Sequence, residues 1–411
     1  MKYNIKYLAK SFLPNRPLSY ARKLRSFMGV WNYWFPYVFK DGLANIPMSV
    51  TFEVTYRCNL SCLMCPQAID LQNPESVLQA QMKEDSELKT EEIINVINQA
   101  SSLGIRRITL TGGEPFVRRD IIDILVAVKR KNMACYIITN GGLMKESYAR
   151  EIVRMGIDKI TLSCDGPEEI HNNIRQNKNQ FQDLLKAIRM IQAEKRVQKR
   201  NVPDLTLNVT VSSLNAGYMD EIVEIAAREK VNVNFGYLFY ASAEMESRTR
   251  GIYQATGGKI EDQDVPMSIR TVNVDLLAKE IENAEANASR MGVKINIQPY
   301  IKRPEELYGH FFDDSHAYVN HCFYPWYAMR INPYGEVYPC QMNIVIGNVR
   351  DKGLRELWNN DAYIRFRQEL RNVGIWPRCT KCCKLNNKMW DRLPQMRWYW
   401  DNKGKNDSRQ Y

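Results

Sequence analysis

The sequence predicts an α/β chain: a partial (β/α)6, TIM-like barrel followed by a small cysteine-rich domain. Two observations carry that prediction. From residue 48 onward, short β-rich runs alternate with segments of helical period, which is the signature of βα units around a parallel sheet. Beyond residue 300 the composition turns to aromatics, prolines and cysteines. The 411 residues, 45% hydrophobic and 25% charged, suffice for one large domain of about 200 to 250 residues with appendages. Residues 1–47, 48–300 and 301–411 therefore read as an N-terminal extension, a barrel and a second small domain.

Within the barrel the strand candidates are Ser49–Thr55, Arg107–Thr111, Ala134–Thr139, Lys159–Ser163, Leu205–Val211 and Val231–Leu238. Helical spacing of apolar residues marks Thr90–Leu103, Ile121–Lys131, Phe181–Gln192 and Tyr218–Arg228 between them. Right-handed crossovers wind such units into a barrel whose chemistry gathers at the C-terminal strand ends. A polar segment from Ala241 to Met267 interrupts the rhythm, after which a helix over Val274–Met291 and a strand over Val293–Ile297 close this part.

Ahead of the barrel, Arg22, Lys23 and Arg25 interleave with Leu24, Phe27, Met28, Trp31, Trp34 and Phe35. Such a stretch either packs its aromatic face on the main domain or lies on a membrane surface. No run of about 18 apolar residues occurs, so no spanning helix is expected. The formal charge of +11, from 57 Lys and Arg against 46 Asp and Glu, is spread along the chain. It suits an anionic partner without demanding one, and no nucleic acid is expected. Ten cysteines, grouped as metal ligands and preceded by no signal peptide, point to a reducing, cytoplasmic setting, peripheral to a membrane if the N-terminus touches one.

The strongest local signal follows the first strand: Cys58, Cys62 and Cys65 in Cys-Asn-Leu-Ser-Cys-Leu-Met-Cys-Pro. Three thiolates on a short loop can wrap three irons of a cubane cluster and leave the fourth iron free for a chelating amino and carboxylate group. Zinc is the alternative, but three cysteines would then need a fourth ligand nearby.

Cys-x3-Cys-x2-Cys at the end of the first strand of a six-unit βα barrel resembles the radical S-adenosylmethionine (radical SAM) superfamily, over roughly residues 48–300. The resemblance implies a 4Fe-4S cluster on Cys58, Cys62 and Cys65 with SAM chelating the open iron. It also implies an electron donor such as flavodoxin or ferredoxin, and cleavage of SAM to a 5'-deoxyadenosyl radical that takes a hydrogen atom from the substrate. Gly112-Gly113-Glu114-Pro115 after the second strand is similar to the family's GGEP motif, which holds the methionine amino group. Glycine suits close backbone approach there. Thr139-Asn140-Gly141 resembles the adenine-side turn, and Ser163 and Asp165 the ribose-contacting pair. His171 and Arg175, in His-Asn-Asn-Ile-Arg, resemble a run whose arginine pairs with the SAM carboxylate, with Asn172 departing from the usual Asp. Asn208 and Asn215 are further adenosine-side candidates, or turn residues.

In the last quarter, Cys322-x12-Gly335-x4-Cys340 followed by Cys379, Cys382 and Cys383 resembles the family's C-terminal SPASM domain or its shortened twitch form. Gly335 sits in a hairpin-turn pattern that brings thiols together. Five cysteines are too few for two clusters, so one auxiliary 4Fe-4S cluster on Cys322, Cys340, Cys379 and Cys382 is expected, with Cys383 a substitute for Cys382 or a bystander. A four-cysteine zinc knot is the alternative. Cys135 reads as a buried apolar residue, and Cys164, at the cluster end of the barrel, as packing or as a hydrogen donor to a substrate radical.

A fully ligated auxiliary cluster implies net two-electron oxidation, a dehydrogenation or crosslink, of a peptide or small metabolite. Forty-seven residues precede the barrel, fewer than the peptide-binding wing of about 80 residues in many peptide-modifying relatives, which weighs against a peptide substrate without excluding one brought by a separate recognition protein. A lipid-linked substrate and a non-catalytic metal-stabilised scaffold are the other readings; a scaffold has no need to assemble Gly112, Gly113, Glu114, Asp165 and Arg175 around an open iron.

Overall fold

A computed structural model describes residues 31–70, 86–252, 266–342 and 344–385. Its seven barrel strands are β1 (Ser49–Glu53), β2 (Arg107–Thr111), β3 (Ala134–Thr139), β4 (Lys159–Ser163), β5 (Asp204–Val211), β6 (Asn232–Tyr237) and β7 (Ile295–Gln298). All are parallel, each paired with the next in sequence. Along the strands one set of side chains is buried in the main core, including Phe52, Leu110, Ile137, Leu162, Val209 and Phe235, together with the apolar stripes of the helices. The alternate set is largely polar: Thr51 and Glu53, Thr109 and Thr111, Thr161 and Ser163, Asn208 and Thr210, Asn234, with Ala134, Tyr136 and Ile138 of β3 the exception. Right-handed crossovers place the long helices between the strands on the first face, so the polar face is the barrel's inner surface. It is knitted across three strands by Asn234 donating to Asn208 at 2.8 Å and Asn296 donating to Asn234 at 2.6 Å.

The six expected units and the closing strand are all present. The sheet does not end there. Strands β8 (Ala328–Ile331), β9 (Glu336–Tyr338) and β10 (Gly347–Asn348), from the cysteine-rich region, extend it to ten strands in the order β10-β9-β8-β1-β2-β3-β4-β5-β6-β7. β8 lies parallel to β1, Ser49 opposite Ala328, and turns back antiparallel into β9. The turn is the expected Asn-Pro-Tyr-Gly. Asn332 accepts from the Tyr334 and Glu336 amides, and Gly335 has φ +86°, a value glycine takes without strain.

Of the N-terminal stretch, residues 22–30 lie outside the described residues; 31–39 are helical. Tyr33 and Tyr37 are buried against Phe323, Trp326 and Tyr327, so this helix packs on the cysteine-rich region. Trp31 and Phe39 stay about half exposed on its other side. The chain that follows is stitched to the same region: Arg367 is fully buried, stacks on Tyr363 and Trp358, and donates to Gly42, Pro325 and Trp358 carbonyls. Among the described residues no helix is long and apolar enough to cross a membrane.

Candidate functional site

The cysteine loop leaves β1 at the C-terminal end of the sheet and is fixed from three sides. Glu87 accepts from the Thr55 hydroxyl and the Tyr56 amide, both at 2.9 Å. The Leu63 amide donates to the Ile174 carbonyl at 3.0 Å, tying the loop to the helix Glu168–Arg175. The third contact comes from Gly112 and Gly113. The amides of Gly113 and Glu114 donate to the Thr55 and Arg57 carbonyls at 2.7 and 2.9 Å. A Cβ on Gly112 would fall 2.1 Å from the Thr55 oxygen, and one on Gly113 2.4 Å from that of Arg57. The close approach that demands glycine here is made by the chain's own backbone as it enters the cysteine loop.

Glu114 is fully buried and takes three donors: the Thr139 hydroxyl at 2.7 Å, the Asn140 amide at 2.7 Å and the Phe116 amide at 3.1 Å. Burial raises its pKa against those bonds. Pro115 opens the short turn Pro115–Val117 behind it. Glu114 thereby locks the turn after β2 to the turn after β3. From there Asn140 reaches Asn59 of the cysteine loop at 2.9 Å, with the same amide 4.0 Å from the Cys58 sulfur.

After β4, Asp165 is buried and ion-paired with Arg175 at 2.5 Å. The second arm of Arg175 donates to the Cys62 sulfur at 3.6 Å. Asp165 also accepts from the Thr210 amide, while its own amide donates to Nδ1 of His171. Asn215 donates to the Asp165 carbonyl, and Ser163 lies opposite Asn208 in the β4–β5 register. Burial raises the Cys62 thiol and Arg175 opposes it, so a positive charge already favours the thiolate a metal requires.

These residues fit a sulfur-bound cluster and a polar chelating ligand. N–H groups face two of the three sulfurs, and Nε of Arg175 and Nε2 of His171 are buried without a hydrogen-bond partner among the described residues. Cys135 and Cys164 stand apart: both are buried, burial pushes each thiol up to about 12, and Cys164 donates to the Gly166 carbonyl at 3.7 Å.

The second cysteine group lines one pocket, whose wall includes Cys322, Cys340, Cys379 and Cys382, with Tyr324 and Arg378. Cys340 follows the β8–β9 hairpin, and the 3-10 turn Pro377–Lys381 presents Cys379, with the Cys382 amide bonded to the Cys379 carbonyl. Cys383 is not part of that wall. Burial pushes the thiols of Cys322 and Cys340 up to about 12 and about 11. Four thiols lining one pocket suit a sulfur-ligated cubane.

Several residues of this architecture left no readable trace in the sequence. Glu87 lies far from the loop it braces, and Gln180, which donates to the Asn140 carbonyl at 2.8 Å, sits at the start of an ordinary amphipathic helix. Arg330 of β8, paired with Glu53 of β1 at 3.4 Å, becomes visible only through strand pairing.

Comparison with known proteins follows the same division. The family model described as the radical SAM superfamily matches residues 52–226, and that of the SPASM iron-sulfur cluster-binding domain matches residues 322–383. The chain is similar to a PqqA peptide cyclase of Rhizobium meliloti (strain 1021), 27% identical over 334 residues, which cover 79% of this chain and 76% of that protein. It is also similar to an AdoMet-dependent heme synthase of Methanosarcina barkeri (strain Fusaro / DSM 804), 23% identical over 329 residues, 79% of this chain and 85% of the other. Among solved structures, Streptococcus suis SuiB bound to its precursor peptide SuiA shares the fold with a TM-score of 0.57 at 14% identity, covering 86% of this chain and 73% of SuiB.

Proposed function

The chain belongs to the radical SAM superfamily and carries a SPASM domain, and from that premise we propose that it takes a hydrogen atom from a peptide and completes a net two-electron oxidation, a dehydrogenation or a crosslink. It is an enzyme with SAM, a SAM-binding 4Fe-4S cluster and auxiliary iron-sulfur as cofactors, which removes the scaffold reading. Bound together, these cofactors supply a hydrogen-abstracting radical and an electron acceptor.

In this reading Cys58, Cys62 and Cys65 hold the SAM-binding cluster. The SAM site is formed by Gly112, Gly113, Glu114, Pro115, Asn140, Ser163, Asp165, Arg175 and Asn208. Cys322, Cys340, Cys379 and Cys382 hold one auxiliary cluster. The observation that carries the oxidative reading is the pairing of β8 with β1: the strand that leads into the cysteine loop is bonded to the first strand of the hairpin that Cys340 follows. An electron acceptor on the second cavity then stands beside the barrel's inner face, where the substrate carbon must lie. A peptide substrate is favoured by the similarity to a peptide cyclase. A small flavodoxin or ferredoxin would supply electrons, in a reducing compartment where all ten cysteines stay free of disulfides, as they are here. The exposed Trp31 and Phe39 favour one second reading, contact with a membrane surface and a lipid-linked substrate.

Anaerobic reconstitution tests the core of this. About eight irons per chain are expected, with dithionite-driven release of 5'-deoxyadenosine from SAM. Replacing Cys58, Cys62 and Cys65 by Ala should abolish that release and leave about four irons bound; retained cleavage would sink the assignment. Incubation with candidate precursor peptides should then yield a product lighter by two hydrogens.

A further inference from the structure

The wall of the second cavity holds, beside its four thiols, one fully buried guanidinium. Arg378 immediately precedes Cys379, is 0% exposed and lines the same pocket as Cys322, Cys340, Cys379 and Cys382. Its position is over-determined. Nη1 pairs with Glu246 at 3.0 Å and approaches the Met342 carbonyl at 3.5 Å, while the Arg378 amide donates to the Thr249 hydroxyl at 3.0 Å. Glu246 and Thr249 share one face of the helix Ala243–Ile252, which follows β6, so the barrel itself grips the loop carrying Cys379. Glu246 is 3% exposed.

A buried ion pair is no efficient source of stability, because desolvation offsets the attraction. Here the pair stands at the wall of a cluster cavity, and that gives it a chemical consequence. A cluster on four thiolates is anionic and becomes more so when it accepts an electron. A fixed cation in a dry site favours the reduced form, and a carboxylate on the cation's far side weakens that preference. Arg378 stands at the same pocket wall as the sulfurs of Cys322, Cys340, Cys379 and Cys382. Two other cations lie nearby, but Arg330 is paired with Glu53, and Lys384, whose amide donates to the Cys382 sulfur at 3.4 Å, is an exposed residue.

We infer that Arg378 is a positioning residue for electron transfer: it raises the reduction potential of the auxiliary cluster, and Glu246 of the barrel moderates it. This rests on the reading in which Cys322, Cys340, Cys379 and Cys382 hold that cluster. Arg378 moves no atom of the substrate. It makes the cluster a better acceptor for the one electron that the substrate radical gives up after losing its hydrogen atom and a proton.

The test is a potentiometric titration of the reconstituted full-length protein, followed by electron paramagnetic resonance. Adding SAM perturbs the signal of the SAM-binding cluster and so identifies the other. Arg378→Gln should leave the auxiliary cluster about tenfold less reduced at a fixed potential, a negative shift of about 59 mV for one electron. Arg378→Lys should restore much of it, and Glu246→Gln should shift the potential the opposite way. A merely structural pair would give no such reversal. Unshifted potentials with about eight irons, or shifts of the same sign in both variants, overturn the inference alone. If Arg378→Gln fails to load its cluster, Glu246→Gln decides: a positive shift upholds the role and an unchanged potential removes it. Wild-type protein with about four irons overturns the ligand assignment, and this inference with it.

Discussion

Arg175 donates to the sulfur of Cys62 at 3.6 Å while its other arm is paired with the buried Asp165 at 2.5 Å. One side chain thus couples the cysteine loop to the turn after β4. Arg175→Ala leaves Asp165 buried without its cation, a loss of about 3–5 kcal/mol in denaturant unfolding. The reconstituted variant should also release 5'-deoxyadenosine at least about a hundredfold more slowly. Arg175→Lys should recover stability more than activity, since a point charge can pair with Asp165 without the second arm. Equal recovery of both would show that the contact with Cys62 does no chemistry.

The glycines after β2 predict a sharp contrast. At Gly112, with φ +138°, and at Gly113, a methyl group would collide with the Thr55 and Arg57 carbonyls. Each Gly→Ala change should cost about 3 kcal/mol and lower iron at the first cluster. Gly251→Ala meets nothing within 4 Å, lies in a helix, and should be neutral or stabilise by up to about 1 kcal/mol. Thermal melts and iron counts on the three variants make the comparison.

Cys382 and Cys383 are neighbours with different surroundings, only the former lining the cavity. Cys382→Ser should lose about four irons, and Cys383→Ser should keep about eight. The reverse result would reassign the ligand.

His310 gives the structure a pH dependence. Both ring nitrogens lack a hydrogen-bond partner among the described residues, the ring lies among Tyr237, Phe311 and Tyr318, and burial pushes its pKa down to about 3. In the unfolded chain it takes a proton near 6.5. Its contribution is therefore fully present above about 6.5 and is lost as pH falls from there toward about 3, at about 1.4 kcal/mol per pH unit. His171 and His321, both pushed down to about 4, act in the same direction. His310→Phe should flatten the decline in stability between pH 6 and pH 5 by about one proton's worth of slope. An unchanged slope would place the burden on the other histidines.

What was legible in the sequence was local. Periodicity gave β1 to β7 to within two residues, because most of these strands alternate a buried set with a less buried, largely polar one, and the cysteine spacings marked both sulfur sites. Asp165 and Arg175 were legible as site residues through resemblance, but not as each other's partner, since ten residues of turn and helix separate them. Gly112 and Gly113 were legible as a demand for close approach; that the approaching chain is Thr55–Arg57 is a tertiary fact. The pairing of β8 with β1, and with it Arg330 with Glu53, was hidden because a strand of four residues among aromatics carries no period of its own. Arg378 was adjacent to a recognised cysteine, yet nothing in one dimension shows that Glu246 reaches it.

The parallel pairing of β8 with β1 also orders events in time. During synthesis the first barrel strand emerges early, and the neighbour that covers its outer edge, beginning at Ala328, arrives only after the whole barrel sequence has left the ribosome. Until then β1 presents an unpaired edge next to a loop of reactive thiols, a template for association with other chains. The same holds for any version of the protein cut at residue 300: it would keep every residue of the first sulfur site and lose the strand that seals it.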